Sequence, residues 1–138
     1  MPSVIIIDTS ALIAIFRLEP EADAFLKAIV AAEARAMSAL SVLETSMVMS
    51  GGAFDSSVFE PLDEFLIEAG IETVPFDAEQ AQLARDGFMR YGKGRHRAAL
   101  NFGDCASYAL AKKRQAALLF KGEDFRHTDL IAALPATV

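Results

Sequence analysis

Val4-Ile5-Ile6-Ile7-Asp8-Thr9-Ser10-Ala11-Leu12 is the stretch that decides the fold. Four apolar β-branched residues in a row read as a strand buried on both faces, the habit of parallel sheets. Asp8 interrupts the run, and Thr9 to Arg17 reads as a helix that ends near Glu19-Pro20. A buried strand that ends in a carboxylate and turns at once into a helix places that carboxylate at the carboxyl edge of the sheet. In open α/β sheets the crevice beyond that edge is where ligands bind.

The same alternation continues along the chain. Ala22, Phe25, Leu26, Ile29 and Val30 recur at helical spacing, and Arg35 to Leu40 is a second strand candidate. Ser41 to Ser50 reads as a third helix stopped by Gly51-Gly52, and a fourth runs from Phe59 to Gly70. Ile71 to Phe76 is a third strand, after which Asp77 caps a helix and Gln80 reaches back to it. Beyond the loop at Gly92 to Gly94, a helix is expected over Asn101 to Gln115, and a fourth strand over Ala116 to Phe120. The segment from Thr128 offers a short fifth strand. Strands alternating with helices give an α/β fold, a three-layer α/β/α sandwich around a mainly parallel sheet of four to five strands. No repeat or linker divides residues 1–138, so one domain is expected.

Composition narrows the function classes. Hydrophobic residues make up 53% of the 138, which excludes intrinsic disorder. The lone Cys105 excludes an internal disulfide framework and fits a cytoplasmic chain. Asp8 breaks the only apolar stretch near the N-terminus, so neither a signal peptide nor a membrane span is expected. The net charge of −6 argues against a generally basic nucleic-acid binder. The charge is uneven, however: Arg85, Arg90, Lys93, Arg95 and Arg97 face only Asp86, a local excess of about +4. That segment is either a solvated surface or a rim that grips phosphates through Arg90, Lys93, Arg95 and Arg97.

Four acids stand at strand ends or helix starts: Asp8, Glu44, Asp104 and Asp124. Each has a local explanation. Asp8 can cap its helix, and Ser41-Val42-Leu43-Glu44 matches a capping box. Asn101 to Asp104 is a cap followed by an acid in the first turn, and Asp124 can cap a short final helix. Together they point elsewhere. Several carboxylates meeting at one sheet edge repel one another unless protonated or bridged by a cation. Oxygen donors of this kind suit Mg²⁺ or Mn²⁺. Thr9 and Ser10 can orient Asp8, Asn101 can cap or assist Asp104, and Asp129 is a fifth acid placed either to support the site or in solvent. Tyr108 and Cys105 read as packed residues, and His96 and His127 as surface ones. Leu12, Ile13 and Phe16 are either core or a face for a partner.

Ile7-Asp8-Thr9-Ser10-Ala11-Leu12, Ser41-Val42-Leu43-Glu44, Asn101-Phe102-Gly103-Asp104-Cys105, Leu119 to Phe125 and Thr128-Asp129-Leu130 carry a resemblance. In order and spacing they resemble the PIN-domain ribonucleases of the VapC type, toxins of VapBC toxin–antitoxin pairs. The resemblance implies a PIN-like fold and Mg²⁺- or Mn²⁺-dependent endoribonuclease activity. It implies metal-binding and catalytic roles for Asp8, Glu44, Asp104 and Asp124. It also implies an RNA substrate, a homodimer, and a cognate antitoxin whose tail brings a basic side chain into the cleft.

Three other readings compete with it. A phosphatase that begins with a strand and an aspartate needs a second aspartate two residues on, where this chain has Ser10. A phosphorelay receiver needs a lysine after a late strand, a place Lys121 could fill. A non-catalytic binding subunit would use the acidic cleft only to receive a basic tail. No Ser-His-Asp or Cys-His set supports a covalent nucleophile.

Overall fold

The structure, a computed structural model, describes residues 3–135. Four strands form one wholly parallel sheet: β1 (Val4–Ile7), β2 (Ala34–Ser38), β3 (Ile71–Val74) and β4 (Ala117–Leu119), in the order β3-β2-β1-β4. Six α-helices join them: α1 (Thr9–Phe16), α2 (Ala22–Ala31), α3 (Ala39–Ser50), α4 (Glu60–Glu68), α5 (Ala78–Tyr91) and α6 (Phe102–Arg114). From β1 the chain steps outward through β2 to β3, then returns to lay β4 on the other side of β1. The strand order therefore reverses between β1 and β4, and the crevice beyond their carboxyl ends is the switch point where ligands bind.

Alternation along the strands makes the two outer layers. Ile5 and Ile7 of β1, Met37 of β2 and Leu119 of β4 face a core shared with α1, α2 and α4. Ile6, Ala36 and Leu118 face the opposite core, with Tyr108, Leu110 and Ala111 of α6. Both sides of β1 are covered, which is why its run of four apolar residues shows no polar alternation. Leu12 is fully buried and Phe16 packs edge-on against Phe65, 5.5 Å between centroids, so that face of α1 is core.

Element boundaries moved where a cap or a proline set them. Ser38 caps α3 by accepting a hydrogen bond from Leu40 N at 3.2 Å, so β2 ends and α3 begins earlier than the sequence suggested. Pro75 follows β3 and cannot donate to a ladder, which confines that strand to Ile71–Val74. Asp77 does cap α5, but the Gln80 side chain donates to Pro75 O at 2.9 Å instead of reaching back. The fifth strand is reduced to one parallel bridge between Leu118 and Ala132.

Arg35 fastens the edge of the sheet to two helices. Its guanidinium donates to Ile29 O, to Val30 O at 3.0 Å, to Ala32 O at 2.9 Å and to Ala69 O at 2.8 Å. These carbonyls lie at the C-terminal ends of α2 and α4, where no intrahelical donor reaches them and where the helix dipole favours a cation. Arg35→Met should lower the unfolding free energy by about 2 kcal/mol, read by urea denaturation. Arg35→Lys should recover only part of it, since an ammonium cannot reproduce the planar fork.

Candidate metal centre

Asp8 is 2% exposed and stands where β1 gives way to α1. Its Oδ2 accepts from Ser10 N at 3.0 Å and from Ser10 Oγ at 2.6 Å, and its Oδ1 accepts from Ser107 Oγ at 2.5 Å. Asp8 thus caps α1, as its place after the strand predicts. Ser10 Oγ also accepts from Lys121 N at 3.0 Å, which ties the end of β4 to the end of β1. Ser107 lies 3.2 Å from Ser41 Oγ, and Thr9 Oγ1 donates to Ser41 O at 3.2 Å. A chain of buried hydroxyls thus locks α1, α3 and α6 around Asp8.

Asp8, Ser10, Glu44 and Asp104 line one open cleft of about 400 Å³, together with Glu19 and Lys121. Asp104 completes a reciprocal capping box: Asp104 N donates to Asn101 Oδ1 at 2.9 Å, and Asn101 N to Asp104 Oδ2 at 3.1 Å. Glu44 does not close a capping box with Ser41, because Ser38 already caps α3 one turn earlier. Its carboxylate instead lies against Gly103 in the first turn of α6, where any Cβ would collide with it. Glycine at that position leaves the room Glu44 occupies.

The acids share one electrostatic field. Burial pushes the Asp104 carboxyl up from an ordinary 3.8 to about 7, and the charges of Asp8, Asp124 and Glu44 push the same way against the hydrogen bond from Asn101 N. Asp124 itself is exposed in the turn after β4 and does not line the cleft; Glu123 holds the cap position there, with no side-chain capping bond.

Other residues fall outside the centre. Asp129 binds Tyr108 Oη at 2.9 Å and Lys112 Nζ at 2.8 Å, which makes it a brace on α6 and not a neighbour of Asp8. Burial raises its carboxyl, but those two hydrogen bonds outweigh it and hold the group below its usual range. Arg90, Lys93, Arg95 and Arg97 are exposed and none lines the cleft. Arg95 stacks over Phe88 at 5.8 Å. His96 is no free surface residue: its Nδ1 accepts from Ala98 N at 3.0 Å, and its ring meets Tyr91 edge-on. Ser107 and Glu19 joined the site without a signal in the sequence, and Lys121, noted there only as the lysine a phosphorelay receiver would need, lines the cleft as well.

Among the described residues, no three acidic, histidine or cysteine side chains stand close enough to enclose an ion by themselves. The donors are nevertheless of the right kind. They are all oxygens, one carboxyl is raised by burial and then by its like-charged neighbours, and Mg²⁺ keeps several waters while taking one or two carboxylates. The site fits Mg²⁺ or Mn²⁺ and lacks the sulfur and imidazole of a zinc centre. Without metal, the folded chain holds a proton on Asp104 up to about pH 7, whereas the unfolded chain loses it near 3.8. The folded state therefore binds more protons in that window, and stability falls as pH rises through it. Asp104→Asn should flatten this slope in denaturation curves taken with EDTA; an unchanged slope would refute the coupling.

Comparison with known proteins agrees with this geometry. A family model described as PIN domain matches residues 5–130. Ribonuclease VapC30 of Mycobacterium tuberculosis is 49% identical over 131 residues, covering 94% of this chain and 99% of its own. Ribonuclease VapC of Mycolicibacterium smegmatis is 50% identical over 127 residues, covering 92% and 98%. Among solved structures, VapC20 of Mycobacterium tuberculosis, a sarcin-ricin loop cleaving toxin, superposes with a TM-score of 0.73 at 16% identity over 95% of this chain and 99% of that one. VapBC2 of Rickettsia felis, bound to a promoter DNA fragment, gives 0.72 at 15% identity over 94% and 96%. The four-stranded parallel sheet and its helices have the PIN-like arrangement, and the chain belongs to the PIN-domain family and, within it, to the VapC ribonucleases.

Proposed function

We propose that this chain is a divalent-metal-dependent endoribonuclease toxin, restrained by a cognate antitoxin. The observation that carries the reading is the meeting of Asp8, Glu44 and Asp104 in one cleft at the carboxyl end of β1, in a chain of the VapC ribonucleases. Lys121 is paired with Glu19 and Glu21, so the acids of the cleft still call for a cation, and an ion supplies one. Asp8 and Asp104 would hold Mg²⁺ or Mn²⁺, with Glu44 and Asp124 completing the shell directly or through water. The bound ion supplies Lewis acidity toward the phosphoryl oxygen and a nucleophile at neutral pH.

The chain's own residues do the positioning. Ser10 and Ser107 fix both oxygens of Asp8, so its carboxylate keeps one orientation. Thr9 holds α1 to α3, and Asn101 fixes the turn of α6 that carries Asp104. Glu44 is held over Gly103 beside the helix N-terminus, whose dipole favours its charge. A phosphodiester laid in the cleft has its P–O bond broken by water, which adds a hydroxyl to phosphorus while the leaving oxygen takes a proton.

An exposed apolar strip beside the cleft supports a protein partner. Leu43 and Met47 of α3 and Phe102 of α6 are exposed there, Met47 at 66% and Phe102 at 81%. A homodimer and an antitoxin segment whose basic side chain enters the cleft both belong to this proposal. Light scattering of the chain alone, and with the product of the neighbouring reading frame, tests them. A binding-only subunit would show neither ion uptake nor cleavage.

Asp8→Asn and Asp104→Asn should each abolish Mg²⁺-dependent cleavage of total RNA while thermal melting still reports a folded chain. Groups that merely orient metal ligands are worth about 10–100-fold, so loss of a ligand charge should exceed that. Full activity in either variant would overturn the assignment. Replacing Arg90, Lys93, Arg95 and Arg97 by Gln should weaken RNA binding and flatten its salt dependence; the same affinity and slope as the parent would reject their role.

A further inference from the structure

Lys121 is the one cationic side chain among the residues lining the acidic cleft. It sits directly after β4, at the switch point, and its backbone N–H donates to the Ser10 hydroxyl that in turn donates to Asp8. Its ammonium is held from across the cleft mouth by Glu19 at 3.1 Å and Glu21 at 3.3 Å, both in the turn between α1 and α2. All three side chains remain about a third exposed, at 36%, 32% and 39%. Lys121 also lines a second groove of about 810 Å³ next to the cleft, whose wall includes Phe120 and Arg126. Arg126 lies 5.1 Å over the Phe120 ring.

Ion pairs this exposed contribute little to stability, so the ammonium can change partners at small cost. A lysine ammonium is also a compact point charge suited to a phosphate. An RNA strand whose scissile phosphate sits among Asp8, Glu44 and Asp104 must offset strong repulsion, and Lys121 is the positive charge that lines the cleft among the described residues. Resting on the ribonuclease reading above, we infer that Lys121 is a substrate-positioning residue: it leaves Glu19 and Glu21 to bind the phosphate next to the scissile one, guiding the strand from the acidic cleft into the groove beside Arg126. Glu19 and Glu21 park the ammonium when no RNA is present.

The experiment uses the full chain, with binding of a fluorescein-labelled, random-sequence single-stranded RNA read by anisotropy in an Asp104→Asn background. Lys121→Met should weaken binding about tenfold and reduce the logarithmic salt slope by about 0.7, the share of one phosphate contact on a single strand. Lys121→Arg should restore both. Glu19→Gln with Glu21→Gln should tighten binding, because the parked ammonium is released, and that gain should vanish when Lys121→Met is added. A brace that only stabilised the turn would give the opposite pattern, with the glutamine pair mimicking Lys121→Met. Thermal melting verifies that each variant folds. Cleavage of total RNA with Mg²⁺ separates the two levels of the claim. A parent chain that cleaves nothing overturns both the ribonuclease reading and this inference. A parent that cleaves, with Lys121→Met unchanged in affinity and salt slope, or with the gain from the glutamine pair persisting without Lys121, overturns the role of Lys121 alone.

Discussion

A carboxylate buried at the end of the central strand is costly, and the rest of the centre is arranged around making it tolerable. Asp8 has almost no contact with water, yet both its oxygens are engaged by donors, from the Ser10 backbone and by the hydroxyls of Ser10 and Ser107. Buried polar groups persist when their hydrogen bonds are made, and hydrogen bonds to a charged acceptor are the strong ones. Because the donors come from α1 and α6, and Ser10 in turn receives Lys121 N from the end of β4, this one side chain fixes the relative placement of β1, β4 and α6. The sheet order brings β1 and β4 side by side, and the Asp8 network sets what stands at their ends.

That arrangement has an electrostatic cost which falls on Asp104. Its carboxyl is raised to about 7 by burial and by the other acids. A reciprocal capping box secures the same residue to the helix start, so repulsion cannot simply swing it away. Gly103 contributes by omission, since a side chain there would expel Glu44 from the surface of α6. Local structure holds the acids together against their mutual repulsion, and the unfavourable charge is retained where a cation can use it.

The strands and the two core layers were legible in the sequence because burial on both faces leaves an unbroken apolar run, as in Ile5, Ile6 and Ile7. Asp8 and Asp104 were legible as acids at helix starts because one follows a strand and the other opens a helix. Glu44 was ambiguous for a physical reason. Ser41 and Glu44 have capping-box spacing, and only Ser38, one turn earlier, decides that the helix has already begun. Ser107 was invisible because a serine inside a helix gives no local sign of the strand end it touches, 99 residues away in sequence. The pairing of Glu19 with Lys121 was hidden likewise: it spans 102 positions and depends on where the turn after α1 lands. Asp129 was left open between supporting the site and standing in solvent. It stands near the site in sequence, but Tyr108 and Lys112 claim it first.

Capping does not by itself exclude metal binding by these acids. A carboxylate offers about four acceptor positions on two oxygens. Asp104 accepts one hydrogen bond, on Oδ2 from Asn101 N, and Oδ1 has no protein partner among the described residues. Asp8 accepts three, which leaves it little spare capacity and almost no freedom of orientation. The two acids therefore differ: Asp8 has a direction fixed by its neighbours, and Asp104 an open oxygen on a secured turn. If both are ligands, as proposed above, the caps hold each of them in place and leave the free oxygen of Asp104 for the ion.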